Sequence, residues 1–193
     1  MAWVARTLPR PRKMRGFAAL LVLLAAAAHA QPFAERTIDL DDDTLQFAIR
    51  AFPPDALLAD PAAVPEPTSA LNTAKLLGRF LSSGASEDAA MLSNAPRRRF
   101  EILRDYQAAV GDEGFRQVFA EFFDPGNRLA AELAIGELSL LVWHLRAANR
   151  YAGQYYVRVE GKVFLDDVPN PVRANLRRLL EAIRTGRLPL PAK

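Results

Sequence analysis

The sequence predicts an α+β fold: helices packed on a curved antiparallel sheet, followed by an amphipathic helix at the C-terminus. Three observations lead there. Residues 154–168 hold two β-rich runs around Glu160-Gly161, a dipeptide suited to a two-residue turn with Gly at a positive φ. Upstream, residues 69–123 repeat apolar side chains at helical spacing between cap signals. Downstream, Asn170-Pro171 opens a helix whose Val172, Leu176, Leu179, Leu180 and Ile183 form one stripe, and Gly186 stops it.

Taken in order, the chain begins with Arg6, Arg10, Arg12, Lys13 and Arg15, then an unbroken apolar run from Phe17 to Ala28, then Ala28-His29-Ala30 as a small-residue cleavage pattern. That is the plan of a secretory signal peptide cut near Ala30, and it implies a periplasmic or secreted protein. The run is shorter than the roughly 20 apolar residues a bilayer core requires, so no stable membrane anchor is expected after cleavage. Met14-Arg15-Gly16 would itself make a compact start, which allows residues 1–13 to be an over-extended gene start. Five of the 25 basic residues and none of the 22 acidic ones lie in the first 30 positions, leaving the mature chain at a formal charge of −2. A general nucleic-acid binder needs a basic footprint, and the mature chain lacks one. The absence of Cys excludes lipoprotein attachment, disulfide staples and thiolate metal sites, so an ordinary hydrophobic core must hold the fold.

Residues 31–67 read as an acidic, Pro-rich segment. Asp42 or Asp43 caps a short helix with Leu45, Ala48, Ile49 and Phe52 on one face, and Pro53-Pro54 ends it. Pro61, Pro65 and Pro67 keep the connection extended. A single globular domain is expected over residues 68–186, with 187–193 as a tail. Thr68 or Ser69 caps a helix to Ser83, with Leu71, Ala74, Leu77, Phe80 and Leu81 inward and Gly84 as its stop; Ser86 opens a shorter helix to about Leu92. Asn94-Ala95-Pro96 begins the next helix, which Gly111 ends. Asp112 caps another, in which Phe115, Val118, Phe119, Phe122 and Phe123 repeat at core-facing spacing. After a turn at 124–127, residues 128–135 are predicted as a strand with Gly136 as a bulge. Residues 138–146 follow as a strand with large apolar groups on both faces, and 147–153 as a polar turn. The turn at Glu160-Gly161 sets Val159 opposite Lys162, Arg158 opposite Val163, Val157 opposite Phe164 and Tyr156 opposite Leu165. Both faces of that ribbon are apolar, so one should be covered and the other should line something.

The segment Ala74–Gly84, running into a short second helix, resembles the opening helix pair of the nuclear transport factor 2-like (NTF2-like) superfamily. Tyr156–Leu165 with its Gly turn resembles that superfamily's late strand–turn–strand, so the resemblance covers about residues 68–168. It implies a conical half-barrel with a cavity that relatives use for catalysis, ligand binding or scaffolding, and it carries no single function. The Pro-rich lead-in and the basic helix at 171–185 depart from the pattern.

His144 is the one histidine left after cleavage, so a multi-His zinc site is excluded, and neither metal nor cofactor is expected. In a strand it shares a face with Leu138, Leu140 and Val142, the setting of a hydrogen-bonded structural histidine. The alternative is a general base in a pocket, oriented by Asp166 or Asp167 and assisted by Tyr155 or Tyr156. No G-x-S-x-G and no P-loop accompanies it. Trp143, Tyr155 and Tyr156 are the candidate lining of a ligand cavity. Asp39-x-Asp41-x-Asp43 copies the first ligands of a calcium loop and then fails, with Thr44 where Gly is needed and Arg50 where a bidentate Glu belongs. Arg97, Arg98 and Arg99 oppose the macrodipole in a helix's first turn. Together with the basic residues of 173–187 they call for acidic partners, either the protein's own segment Glu35–Glu66 or external anionic headgroups. Three roles stay open: binding of a small apolar or amphipathic ligand or of an envelope partner protein; a small hydrolase or isomerase using His144 with Asp166 or Asp167; and a non-catalytic structural accessory subunit.

Overall fold

Six antiparallel strands lie side by side in chain order, with three helices inserted after the second strand and one helix after the last. The computed structural model describes residues 31–41, 43–53, 66–122, 124 and 126–191. The expected signal peptide (1–30), most of the Pro-rich connection (54–65) and residues 192–193 lie outside the described residues. The elements are β1 (Ala34–Leu40), β2 (Asp43–Ala51), α1 (Ala70–Ser83), α2 (Ser86–Met91), α3 (Pro96–Phe122), β3 (Arg128–Ile135), β4 (Leu138–Leu145), β5 (Arg150–Val159), β6 (Lys162–Leu165) and α4 (Pro171–Arg184). The class is α+β, with a curved antiparallel sheet.

Strand side chains alternate between faces, and the two faces are buried against different partners. On one, Leu141 and Trp143 of β4, Tyr156 of β5 and Leu165 of β6 pack with Ala74, Leu77, Leu81, Leu103 and Phe115 of the inserted helices. On the other, Phe47, Leu133, Leu140 and Val142 pack with Leu176, Leu179, Leu180 and Ile183 of α4. The sheet is therefore covered on both faces. Where the second face of the β5–β6 ribbon was expected to line something, α4, with Leu176 fully buried, packs on its Tyr155, while Val157 and Phe164 of that face stay half-buried outside both clusters. Gly153 allows the close fit. A Cβ there would lie 2.6 Å from Leu140 Cδ1 and 2.8 Å from Leu180 Cδ2, so only Gly lets Leu180 settle onto β5.

Local chemistry sets most boundaries where the sequence puts them. Ser69 Oγ accepts from Asn72 N at 3.2 Å, and Gly84 ends α1 at φ 80°. Asn170 Oδ1 accepts from Arg173 N at 2.8 Å at the head of α4, with Pro171 next to it. Gly111, at φ 75° and ψ 163°, breaks α3 where two helices were expected. The β5–β6 register is the predicted one, with Glu160 at φ 49° and Gly161 at φ 80°. Gly136 sits in the two-residue turn between β3 and β4 instead of forming a bulge; the bulge falls between Leu129 and Ala131. β5 starts at Arg150, so residues 150–153 are strand and not turn.

The largest correction concerns the N-terminal segment. The helix expected at 43–52 is β2, and with β1 it forms a hairpin added to the sheet through β2–β3 pairing. Leu45, Ala48, Ile49 and Phe52 suit a helix, while Leu45, Phe47, Ile49 and Ala51 suit a strand; both patterns are present within residues 45–52. Partners decide. Ile49 meets Leu133 and Ala51 meets Ala131, and the period-two set is the buried one. The acidic residues flank the hairpin's turn: Leu40 pairs with Asp43, Asp41 is at φ 56°, and Thr44 Oγ1 donates to Asp39 Oδ1 at 2.7 Å. β1 and β2 thus belong to the sheet, upstream of residue 68. The tail also docks, with Leu188 N donating to Ala182 O at 2.9 Å and Leu188 and Leu190 packed on the α4-side core.

Candidate functional site

The chain leaving β6 is stitched to the chain entering α3. Leu165 N donates to Leu92 O at 2.7 Å, and Asn94 N donates to Leu165 O at 3.0 Å. Two acidic side chains then clasp both helix starts. Asp166, buried, accepts from Asn94 Nδ2 at 2.8 Å and from Asn170 Nδ2 at 3.2 Å. Asp167 accepts from Ser93 Oγ at 2.6 Å and from Arg99 Nε at 2.8 Å, with Arg99 Nη2 on its other oxygen. The Asp167 N–H donates to Asn94 Oδ1 at 2.8 Å. The N-termini of α3 and α4 are held together by this network.

Between them lies a groove of about 310 Å³. Arg98 and Ile102 of α3 form one wall, Arg173 and Arg177 of α4 the other, and Asp167 and Pro169 belong to the loop that joins them. Asp167 is already engaged by Arg99 and Ser93. Among the described residues no carboxylate pairs with Arg98, Arg173 or Arg177, and neither α3 nor α4 carries an acid in its first turn. The positive ends of two helix dipoles therefore add to three arginines. Arg173 Nε is buried and has no hydrogen-bond partner, while its guanidinium lies 5.1 Å from the Tyr155 ring centroid. A buried, unsatisfied donor costs about 1–3 kcal/mol, and a cation stacked on an aromatic ring is held in place by it.

The other basic residues of α4, and Arg187 just past it, are neutralised by the fold itself; Arg184 donates to Glu181 Oε1 at 2.7 Å and to Tyr151 O at 2.9 Å. Arg178 donates to Asp43 Oδ2 at 2.8 Å and to Leu40 O at 2.7 Å, and Arg187 lies 3.5 Å from Asp41. Arg97 reaches Glu101 at 3.3 Å. The acidic partners sought in Glu35–Glu66 are thus present for Arg178 and Arg187, through the β1–β2 turn.

His144 lies near the end of β4, opposite Arg128 and Tyr151, with Nε2 3.2 Å from Asn149 Oδ1. Asp166 N donates to Tyr155 O at 2.8 Å, four residues along β5 from Tyr151, the partner of His144. At about 3.4 Å per residue that separation along the strand is roughly 14 Å, and β5 stands between β4 and β6. His144 is therefore not brought to Asp166 or Asp167, whose oxygens serve the clasp. Trp143 and Tyr156 are core residues on the helix side. Tyr156 donates to Gln154 Oε1 at 2.7 Å; burial pushes its phenol well above the ordinary value, and the nearby Glu132 adds to the rise. Tyr155 approaches the groove only by carrying Arg173. Sequence reasoning missed Ile102 and the pairing of Arg98 with Arg173 and Arg177; the available signal was charge without a local acid.

A second cleft, of about 330 Å³, opens between the start of α1 and the sheet. Its charges are balanced: Arg50 Nε donates to Glu132 Oε2 at 2.9 Å, and Arg158 lies 3.8 Å from Glu137. Among the described residues no three acidic or histidine side chains are placed to hold a metal ion. Chemically, the α3–α4 groove offers planar cationic donors for an anion, beside the apolar Ile102 and Pro169. No protein-family model, curated protein or solved structure matches this chain.

Proposed function

We propose that the protein is an exported binding protein, processed near Ala30, that takes an amphipathic anion in the groove between α3 and α4. The observation that carries this reading is the convergence of Arg98, Arg173 and Arg177 on one concavity without a carboxylate partner among the described residues, one of them with a buried and unsatisfied Nε. An incoming carboxylate, phosphate or sulfate group would complete that set through charge-assisted hydrogen bonds, and Ile102 and Pro169 would accept its apolar portion. The hydrolase or isomerase alternative has no such support, because His144 lies beside Tyr151 and Asn149 while the two aspartates, beyond β6, are engaged by Ser93, Asn94, Arg99 and Asn170. An NTF2-like kinship would direct attention to a cavity between helices and sheet, and the cleft beside Arg50 and Glu132 lies between α1 and the sheet. The internal charge balance there makes it the weaker ligand site.

Titration calorimetry with dodecyl phosphate below its micelle concentration tests the groove. Saturable binding is expected, with a loss of at least tenfold in the double variant Arg98→Ala/Arg177→Ala and no change in Arg178→Ala. Binding that survives the double variant, or no binding at all, would remove the groove from consideration.

A further inference from the structure

Large apolar side chains are unevenly distributed over the exposed surface. Of the eight that are exposed among the described residues, four lie on α3 and a fifth, Val168, stands in the loop that forms the groove. On α3 they occur at Ile102, Tyr106, Val110 and Val118, continuing the four-residue spacing that starts at Arg98. The break at Gly111 ends this ridge at Val110: beyond it the chain turns back, bringing Phe115 and Phe119 to 6.0 and 6.2 Å from the Tyr106 ring, and Val118 stands apart. Side chains four apart on a helix are neighbours, so a continuous apolar ridge leads away from the arginine groove. Ile102, half exposed, belongs to both.

Glu101 and Asp105 beside this ridge are matched locally by Arg97 at 3.3 Å and Arg104 at 2.8 Å. Among the described residues no carboxylate pairs with Arg98, Arg173 or Arg177, all at the groove end, while Asp112, past Val110 at the other end, accepts from Gln107. An apolar strip with a Tyr and cationic side chains at its end is what an interfacial helix presents to lipid headgroups.

Resting on the groove reading above, we propose that this face docks on an anionic phospholipid bilayer, with headgroup phosphates held by Arg98, Arg173 and Arg177 and with Ile102, Tyr106, Val110 and Val168 entering the interface. Docking of this kind is peripheral and weakens with salt.

Co-sedimentation of the full chain with phosphatidylglycerol vesicles and with phosphatidylcholine vesicles tests it. Residues 17–28 are present in every variant, so the readout is the difference between variants on the same vesicles. At low salt, Arg98→Ala/Arg177→Ala and Ile102→Glu/Val110→Glu are each expected to lower partitioning onto phosphatidylglycerol at least tenfold, with little change on phosphatidylcholine. The four positions are surface residues, and an unchanged melting temperature checks that both variants fold. If the Ile102→Glu/Val110→Glu variant sediments like the parent while Arg98→Ala/Arg177→Ala loses dodecyl phosphate binding, the groove stands as an anion site and bilayer docking falls. If neither double variant changes partitioning, docking falls outright. Self-association in analytical ultracentrifugation that Ile102→Glu/Val110→Glu abolishes would assign the ridge to a second copy of the chain and overturn the proposal.

Discussion

Arg177 and Arg178 are adjacent on α4 and belong to different regions of the molecule. Arg178 leans toward the β1–β2 hairpin, where Asp43 and the Leu40 carbonyl take two of its donors. Arg177 turns to the groove, where its neighbours are Arg98 and Arg173. Among the described residues the fold thus supplies pairing carboxylates for one flank of the helix, while on the other the one in the groove, Asp167, is taken by Arg99. A cation with an internal partner is part of the scaffold, whereas a set of cations without one calls for something from outside. The same contrast divides the three arginines at the start of α3: Arg99 is bound into the clasp with Asp167, Arg97 pairs along the helix with Glu101, and Arg98 faces the groove.

The contrast is easiest to break at the clasp. Asp167→Ala removes the partner of Arg99 and the acceptor for Ser93, and a part-buried guanidinium left unpaired is costly; a stability loss of about 2–3 kcal/mol is expected in urea unfolding. A loss under 0.5 kcal/mol would show that the two helix starts are held by packing alone. Arg173→Met has the opposite signature. It keeps a stem over Tyr155 and deletes the unsatisfied Nε, so stability should stay level or rise by about 1 kcal/mol while dodecyl phosphate affinity falls. A marked destabilisation by this change would mean that Nε has a partner in solution. Arg178→Ala, on the neutralised flank, should cost only about 0.5–1 kcal/mol because the pair is part-exposed, with the loss shrinking in high salt and the groove unaffected.

The smallest effect is a pH effect. Folding keeps the Tyr156 proton above the ordinary tyrosine range, whereas the unfolded chain releases it near pH 10. The unfolded state then binds fewer protons than the folded one. Stability should therefore fall as pH rises above about 10 and continue falling up to the raised folded value. Tyr156→Phe should flatten that decline in pH-dependent urea titrations. Arginine keeps its charge through this range, so the slope reports on the helix-side core and on neither basic flank; a slope unchanged by the substitution would assign the decline to another group.

What could be read from the sequence was what short-range chemistry decides. Asn170-Pro171, Ser69, Gly84, Gly111 and Glu160-Gly161 act within a few residues of themselves, and each boundary or register they imply is present. The stretch 43–52 was misread because its apolar residues satisfy two periods at once, and only pairing with β1 and β3 selects the strand. The groove was illegible for a related reason. Unpaired charge at Arg97–Arg99 and beyond Pro171 was visible, but which arginine meets Asp43, Asp41 or Asp167, and which meets none, depends on how distant segments are brought together. The aromatic residues proposed as ligand lining were misplaced because a strand covered on both faces gives Trp143 and Tyr156 the same sequence signature that a cavity wall would.

Gly153 has a reach beyond its own contacts. Since Leu180 settles where that residue has no side chain, a methyl added there would press on the C-terminal rod through Leu180. Arg173 rides on the same face of that rod seven residues away, nearly two turns and about 10 Å at helical rise. The cationic cradle is therefore seated along the helix from a point where an atom is not there.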